Sequence, residues 1–68
     1  MTENKNIKDK IIAGVEFVRG TGLTNMLDSS MVQRIASDNG YYELVIFIEE
    51  HKKEYSHLIL TGKFPKGF

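Results

Sequence analysis

The stretch of sequence that decides the fold is MVQRIASDNGYYELVIFIEEHKKEY, residues 31–55. Its apolar residues recur at the spacing that places side chains on one face of an α-helix. Asn39 and Gly40 interrupt this pattern, and glycine readily adopts the left-handed backbone conformation that ends a helix. The stretch therefore predicts two helices that fold back on each other.

Downstream of this turn, the sequence predicts one long helix that begins at residue 41 or 42 and continues to about Leu60. No proline interrupts it, and Gly62 supplies a stop. One face of this third helix is expected to cover the rest of the core. That face contains Tyr41, Leu44, Val45, Ile48, His51, Tyr55, Leu58 and Ile59.

Upstream, a first helix is predicted over about residues 6–19, with Gly20 ending it. Its buried stripe is expected to hold Ile7, Ile11, Val15 and Val18, with Ile12 beside them. A polar connector, GTGLTNMLD (residues 20–28), follows. Asp28 or Ser30 can cap the second helix, and Ser30 with Gln33 matches the capping box S/T-x-x-E/Q. The buried stripe of this helix is expected to hold Leu27, Met31, Val32, Ile35 and Ala36.

The fold class that follows is all-α, a three-helix domain in which short helices 1 and 2 pack on a long C-terminal helix 3. The core is expected to cover about residues 6–62, with a tail over residues 63–68. Phe64 and Phe68 give this tail two aromatic side chains. The tail can fold back onto the first helix, insert into a partner or fray, as chain ends commonly do.

A second apolar stripe on the long helix predicts self-association. A domain of this size holds only ~3–5 kcal/mol from its own core, and the chain has no cysteine to add a disulfide. We therefore expect a homodimer in which Glu49 of one copy meets Lys53 of the other across a twofold axis. The residues assigned to this contact are Tyr42, Ile46, Glu49, Lys53 and Leu60. The alternative is that Tyr42 and Ile46 are simply exposed.

Composition argues against catalysis. His51 is the best candidate for acid–base chemistry, with Glu54 one helical turn away, but a single histidine on a helix face is more often a packing residue. No nucleophile motif occurs, and two histidines without cysteine cannot form a structural zinc site. We expect a protein that is not an enzyme and holds no cofactor or metal. No apolar run reaches the ~20 residues that span a bilayer, which predicts a soluble, cytoplasmic protein.

The polar connector is the expected partner-binding surface, because loops on a rigid scaffold often carry function. Thr24 and Asn25 lie in it, and Arg19 and Arg34 flank it. The alternative is that Thr24 and Asn25 cap the second helix or close the turn.

Nucleic-acid binding is the rival function, with a basic C-terminal end formed by Lys52, Lys53, Lys63 and Lys66. The spacing of Ala36 and Gly40 also resembles a helix-turn-helix. However, the formal net charge is zero, and the helix that would read bases begins with Tyr41, Tyr42 and Glu43. These features disfavour DNA recognition.

A broader similarity covers about residues 7–62. The groups GLTNMLD, MVQRIA, GYYELV, FIEEHKKEY and ILTG resemble a family of very small, uncharacterised proteins from phages and prophages of Gram-positive bacteria. The resemblance implies a compact protein inside a bacterial host cell. Small phage proteins of this kind suggest a regulator or inhibitor that binds a host or phage protein; a minor virion or packaging component is a further alternative. The resemblance supplies no catalytic or binding residues.

Overall fold

A computed structural model describes the backbone of residues 2–68 and the side chains of residues 6–68. It contains four helices: α1 (Thr2–Thr21), α2 (Ser29–Asp38), α3 (Tyr42–Glu50) and α4 (Lys52–Thr61). No strand occurs in residues 2–68, so the all-α class is confirmed. The prediction of three helices is wrong, because the expected long C-terminal helix is divided into α3 and α4.

The division lies at His51, whose φ of −140° and ψ of 58° are not helical. The His51 N–H still donates to the Phe47 carbonyl at 2.8 Å, and its own carbonyl accepts from the Tyr55 N–H at 2.8 Å. Neither proline nor glycine marks this position. Tyr55 and Leu58 are buried beyond the break, so packing of α4 on the core, rather than local propensity, fixes its direction.

The core forms where α3 packs against α1 on one side and α2 on the other. Its buried residues are Ile11, Val15, Val18, Val32, Ile35, Ala36, Leu44, Phe47, Ile48, Tyr55 and Leu58. Most of them lie on the predicted stripes. The expected burial of Ile7, Leu27 and Met31 is wrong, since all three are at least two-fifths exposed. Phe47 is buried although it lies off the predicted face.

Some of the predicted helix ends are confirmed, and others are wrong. Asp28 caps α2 by accepting the Met31 N–H at 3.3 Å, whereas the predicted capping box does not form. The Gln33 side chain donates instead to the Val45 carbonyl of α3 at 3.0 Å. Gly40 has a φ of +83° after α2, as expected. Gly20 does not end α1; the helix continues to Thr21 and Gly22 follows with a φ of +65°.

Gly14 sets the distance between α1 and α3. A Cβ atom on Gly14 would lie 3.0 Å from the Leu44 Cβ and 3.2 Å from the Tyr41 Cβ. Such contacts are tighter than ordinary van der Waals packing, and Leu44 is fully buried and has little room to move. The missing side chain therefore allows a close helix contact that the sequence stripes do not reveal.

We predict that Gly14→Ala destabilises the fold by about 1 kcal/mol, because overpacking at Leu44 outweighs the better helix propensity of alanine. Gly20→Ala is the matched control, since Gly20 is also helical but a Cβ atom added there would have nothing within 4 Å. It should stabilise the protein by about 0.5 kcal/mol. Urea unfolding followed by circular dichroism measures both, and equal effects from the two substitutions contradict the close contact.

Tyr55 fastens the α1–α2 connector to α4. Its hydroxyl donates to the Met26 carbonyl at 2.6 Å, and the side chain is almost fully buried. Burial raises the pKa of Tyr55 to about 12, and the positive charge of Arg19 opposes this rise. The folded protein therefore keeps the Tyr55 proton at a pH where an unfolded chain loses it.

We predict that Tyr55→Phe destabilises the protein by about 1–2 kcal/mol at neutral pH, because the Met26 carbonyl loses its donor. The wild-type contribution of Tyr55 is complete below the unfolded pKa of about 10 and is lost as the pH rises toward about 12. The difference in unfolding free energy between wild type and Tyr55→Phe should shrink over that range. Tyr42→Phe serves as the control, because Tyr42 is exposed. A pH-independent difference argues against the assignment.

Candidate interaction groove

A groove of about 380 Å³ lies between the N-terminal half of α1, the outer side of α3 and the C-terminal tail. We call it the α1/α3 groove. Four α3 residues at positions i, i+3, i+4 and i+7 line one wall, and two α1 residues one turn apart line the other. The lining residues are Ile7, Ile11, Glu43, Ile46, Phe47, Glu50, His51 and Phe68.

The floor of the groove is fixed by an aromatic cluster centred on Phe47. The ring centroid of Phe47 lies 5.7 Å from that of Phe64 and 5.2 Å from that of Phe68, both at steep interplanar angles. The two tail rings stack on each other at 5.6 Å. Edge-to-face and stacked pairs at these distances are favourable. In this structure the tail therefore packs back against its own chain, through Phe47 of α3.

Lys8 holds the tail from the α1 side. Its ammonium group donates to the Phe68 backbone oxygen at 2.7 Å and lies 5.3 Å from the centre of the Phe64 ring. Gly67 has a φ of +86°, and the Phe68 N–H donates to the Pro65 carbonyl at 3.2 Å, so the chain turns back and brings Phe68 to the groove. Sequence periodicity could not locate this contact, since the tail has none.

The rim of the groove on the α3 side is acidic. Glu43 and Glu50 lie two helical turns apart, and α3 contains no lysine or arginine. Lys10 of α1 approaches Glu43 at 3.7 Å, but both side chains are substantially exposed. An exposed pair of this kind contributes little free energy. The α3 rim therefore presents carboxylates beside an apolar floor.

His51 closes one end of the groove as a packing residue. Its ring lies edge-on to Phe68 at 5.1 Å, and its Nδ1 is 3.8 Å from the Glu54 Oε1. The side chain is partly exposed. Among the described residues, no cluster of three histidine, aspartate or glutamate side chains could hold a metal ion. The described contacts of His51 are thus with the rings of Phe47 and Phe68 and with the Glu54 carboxylate.

The residues predicted for self-association are divided by the break at His51. Tyr42, Ile46 and Glu49 lie on α3, whereas Lys53 and Leu60 lie on α4, and all five are exposed. The Glu49 carboxylate accepts a hydrogen bond from the Gln33 side chain at 3.2 Å within the same chain. Self-association through these residues stays a prediction, but the straight helical face on which it depended is absent.

The residues predicted for partner binding surround the connector. Arg19 and Arg34 are exposed, and Thr24 is half-buried. The Asn25 side-chain oxygen accepts the Leu27 N–H at 2.8 Å, and the Asn25 carbonyl accepts the Asp28 N–H at 2.9 Å. These bonds match the alternative in which Asn25 closes the turn before α2. A binding role for the four residues stays a prediction.

A second exposed apolar surface, missed by the sequence reasoning, lies near this connector. Leu23 is 73% exposed, and Leu27 and Met31 are exposed as well. The helical spacing of Leu27 and Met31 made them look like core residues. α2 turns its Val32, Ile35 and Ala36 inward instead. Helical periodicity therefore identified the apolar stripe of α2, but it did not show which residues lie at the edge of that stripe and stay exposed.

The four lysines of the basic C-terminal end lie on the surface. Lys52 and Lys53 lie in the first turn of α4, and Lys63 and Lys66 lie in the tail, and all four are exposed.

Within residues 2–68, none of the helices combines the length and the apolar character needed to cross a lipid bilayer.

Comparison with known proteins gives the family. No curated protein and no solved structure matches the chain. Residues 4–63 match the family described as Domain of unknown function (DUF5049). Because this match covers most of the sequence, the chain belongs to the DUF5049 family.

Proposed function

We propose that this chain is a small non-catalytic protein of phage or prophage origin that binds another protein and thereby regulates or inhibits host machinery. The observation that carries the proposal is the α1/α3 groove. Ile46 is 55% exposed and Ile7 is 48% exposed, yet both border a floor that is fixed by buried Phe47. Exposed apolar side chains beside a well-packed groove floor are typical of a surface that another molecule covers.

The geometry of the groove supports binding rather than catalysis. Its two carboxylates, Glu43 and Glu50, are seven residues apart on one helix, which separates them by roughly 10 Å along the axis. That separation exceeds what most paired-carboxylate mechanisms use. His51, the remaining titratable side chain of the groove, packs against Phe68. The groove therefore offers contact area and charge, but no converging acid and base.

The phage setting is part of the proposal and has its support in sequence resemblance alone. The groups GYYELV and FIEEHKKEY, which resemble small phage and prophage proteins, cover the first turn of α4 and all of α3 except Ile46. These segments supply the outer wall of the α1/α3 groove. The proposed function is therefore assigned to the groove that these segments help to form.

We predict that a photo-crosslinking amino acid at position 46, introduced into the full chain in a bacterial host, forms a covalent adduct with another protein. The same probe at Glu16 is the matched control, because Glu16 is exposed on α1 and does not line the groove. Adducts are resolved by denaturing electrophoresis and identified by mass spectrometry. A second substitution, Ile7→Glu, should remove the position-46 adduct, because it places a charge on the apolar wall.

Adducts of equal strength at positions 46 and 16, or an adduct indifferent to Ile7→Glu, mean that the groove is not the binding surface. Circular dichroism of each variant checks that it folds. Ile7 is half-exposed, so its substitution should leave the helical signal unchanged.

Self-association is the second candidate function, favoured by the exposure of Tyr42 on α3 at 59% and of Leu60 on α4 at 71%. The negative charge of α3 argues against self-association. A twofold contact between two copies of α3 brings glutamates together, and α3 has no basic residue to offset them. The break at His51 also removes Lys53 from the regular helical repeat that begins with Tyr42. For this reason we propose a different protein as the partner.

Sedimentation equilibrium separates the two uses. We expect the mass of a monomer for wild type, because like charges on two copies of α3 repel. If the homodimer forms instead, the mass should double and return to that of a monomer in Ile46→Glu. Leu23→Glu is the control, since Leu23 is exposed outside the predicted contact. A dimer sensitive to Ile46→Glu but not to Leu23→Glu establishes self-association and rejects a free groove.

A further inference from the structure

The charges around the α1/α3 groove define what kind of partner segment fits it. We propose that the groove accepts a basic amphipathic helix of another protein, an inference that rests on the proposed function. The apolar side chains of that helix pack on Ile7, Ile46 and Phe68, and its lysine or arginine side chains pair with Glu43 and Glu50.

The shape of the groove favours a helix as the occupant. One wall is a row of α3 side chains at positions i, i+3, i+4 and i+7, and the other holds Ile7 and Ile11 at i and i+4 on α1. Rows of this kind leave a channel between two helices into which the ridge of a third helix can pack. Helix-in-groove recognition uses anchors at the same spacing.

The charges of α3 favour a basic occupant, and the lysines on the α1 side already have partners, Lys8 in the Phe68 backbone oxygen and Lys10 in Glu43. The sequence of α3, YELVIFIEE, carries three glutamates and no lysine or arginine. Glu43 and Glu50 border the groove at opposite ends of Ile46, so a helix lying along α3 can meet one carboxylate on each side of its apolar anchors. The exposed pair between Lys10 and Glu43 is weak enough to exchange for a partner's cation.

Other occupants fit less well. A second copy would place α3 against α3 and bring like charges together. A small ligand is usually oriented by a few polar groups that point into its site. The two carboxylates of the groove, Glu43 and Glu50, lie two helical turns apart and do not converge on one point, so the groove does not offer such a set. The tail of this chain is already docked through Phe64 and Phe68, and the groove remains open beside it.

The test uses a fluorescent probe peptide of roughly 18 residues, long enough to form a helix on binding. Leucines at i, i+3, i+4 and i+7 form its apolar face, and lysines fill both flanks. One control replaces every lysine with glutamate, and another keeps the composition but scrambles the order. Fluorescence anisotropy with the intact chain should show binding of the cationic peptide at least about tenfold tighter than either control, weakening with added salt.

Substitutions locate the binding. Glu43→Gln combined with Glu50→Gln should weaken the cationic peptide about three- to tenfold and reduce its salt dependence, since exposed pairs contribute modestly. Ile46→Ser should weaken binding by about tenfold through lost apolar contact. Glu16→Gln is the matched control, because it removes an exposed carboxylate outside the groove and should change nothing. Circular dichroism confirms that each variant folds.

Three results overturn this inference: no binding of the cationic peptide, equal binding of the anionic or scrambled peptide, or binding unaffected by the groove substitutions. A wild-type dimer whose contact covers Ile46 also overturns it. If the position-46 crosslink persists while the cationic peptide fails, the class of partner is wrong and the binding function stands. If both fail, the proposed function fails with it.

Discussion

The close contact between α1 and α3 is the constraint on which the other features depend. Gly14 lacks a side chain where a Cβ atom would meet Leu44, so the two helices approach more closely than larger residues allow. α2 covers the other side of α3, and Gln33 donates to the Val45 carbonyl across that contact. Because α3 is apolar on most of its surface, this placement buries two of its sides. The strip from Glu43 to Glu50 remains as the wall of a groove.

The aromatic cluster links stability to the proposed binding surface. Phe47 faces away from the predicted face of its helix and finds cover in Phe64 and Phe68 from the tail. A chain of 68 residues without cysteine has few other ways to enlarge its core. The docked tail adds apolar contact and also forms one end of the groove. Changes that loosen the tail are therefore expected to alter the groove as well.

The charges of this protein are distributed unevenly over its surface. The formal net charge is zero, but α3 is acidic, and Lys52, Lys53, Lys63 and Lys66 make the C-terminal end basic. Net charge alone therefore says little about which partner fits, whereas the charge around one surface does. Because DUF5049 is a domain of unknown function, the proposed binding role depends on that surface rather than on the fold.

The sequence by itself determined the all-α class and most of the core, because both follow from the local spacing of apolar residues. It also determined the turn at Gly40 and the C-terminal stop at Gly62, because both follow from the backbone preference of glycine. The core residues identified in this way include Leu44, Ile48, Tyr55 and Leu58. Only the tertiary structure decided the break at His51, the burial of Phe47 and the docking of the tail. No local signal marks the break, and the partners of Phe47 lie far along the chain. The α1/α3 groove could not be predicted for the same reason. The sequence placed Ile46 on an apolar stripe outside the core of its own chain, but the floor and rim of the groove come from residues that only folding brings together.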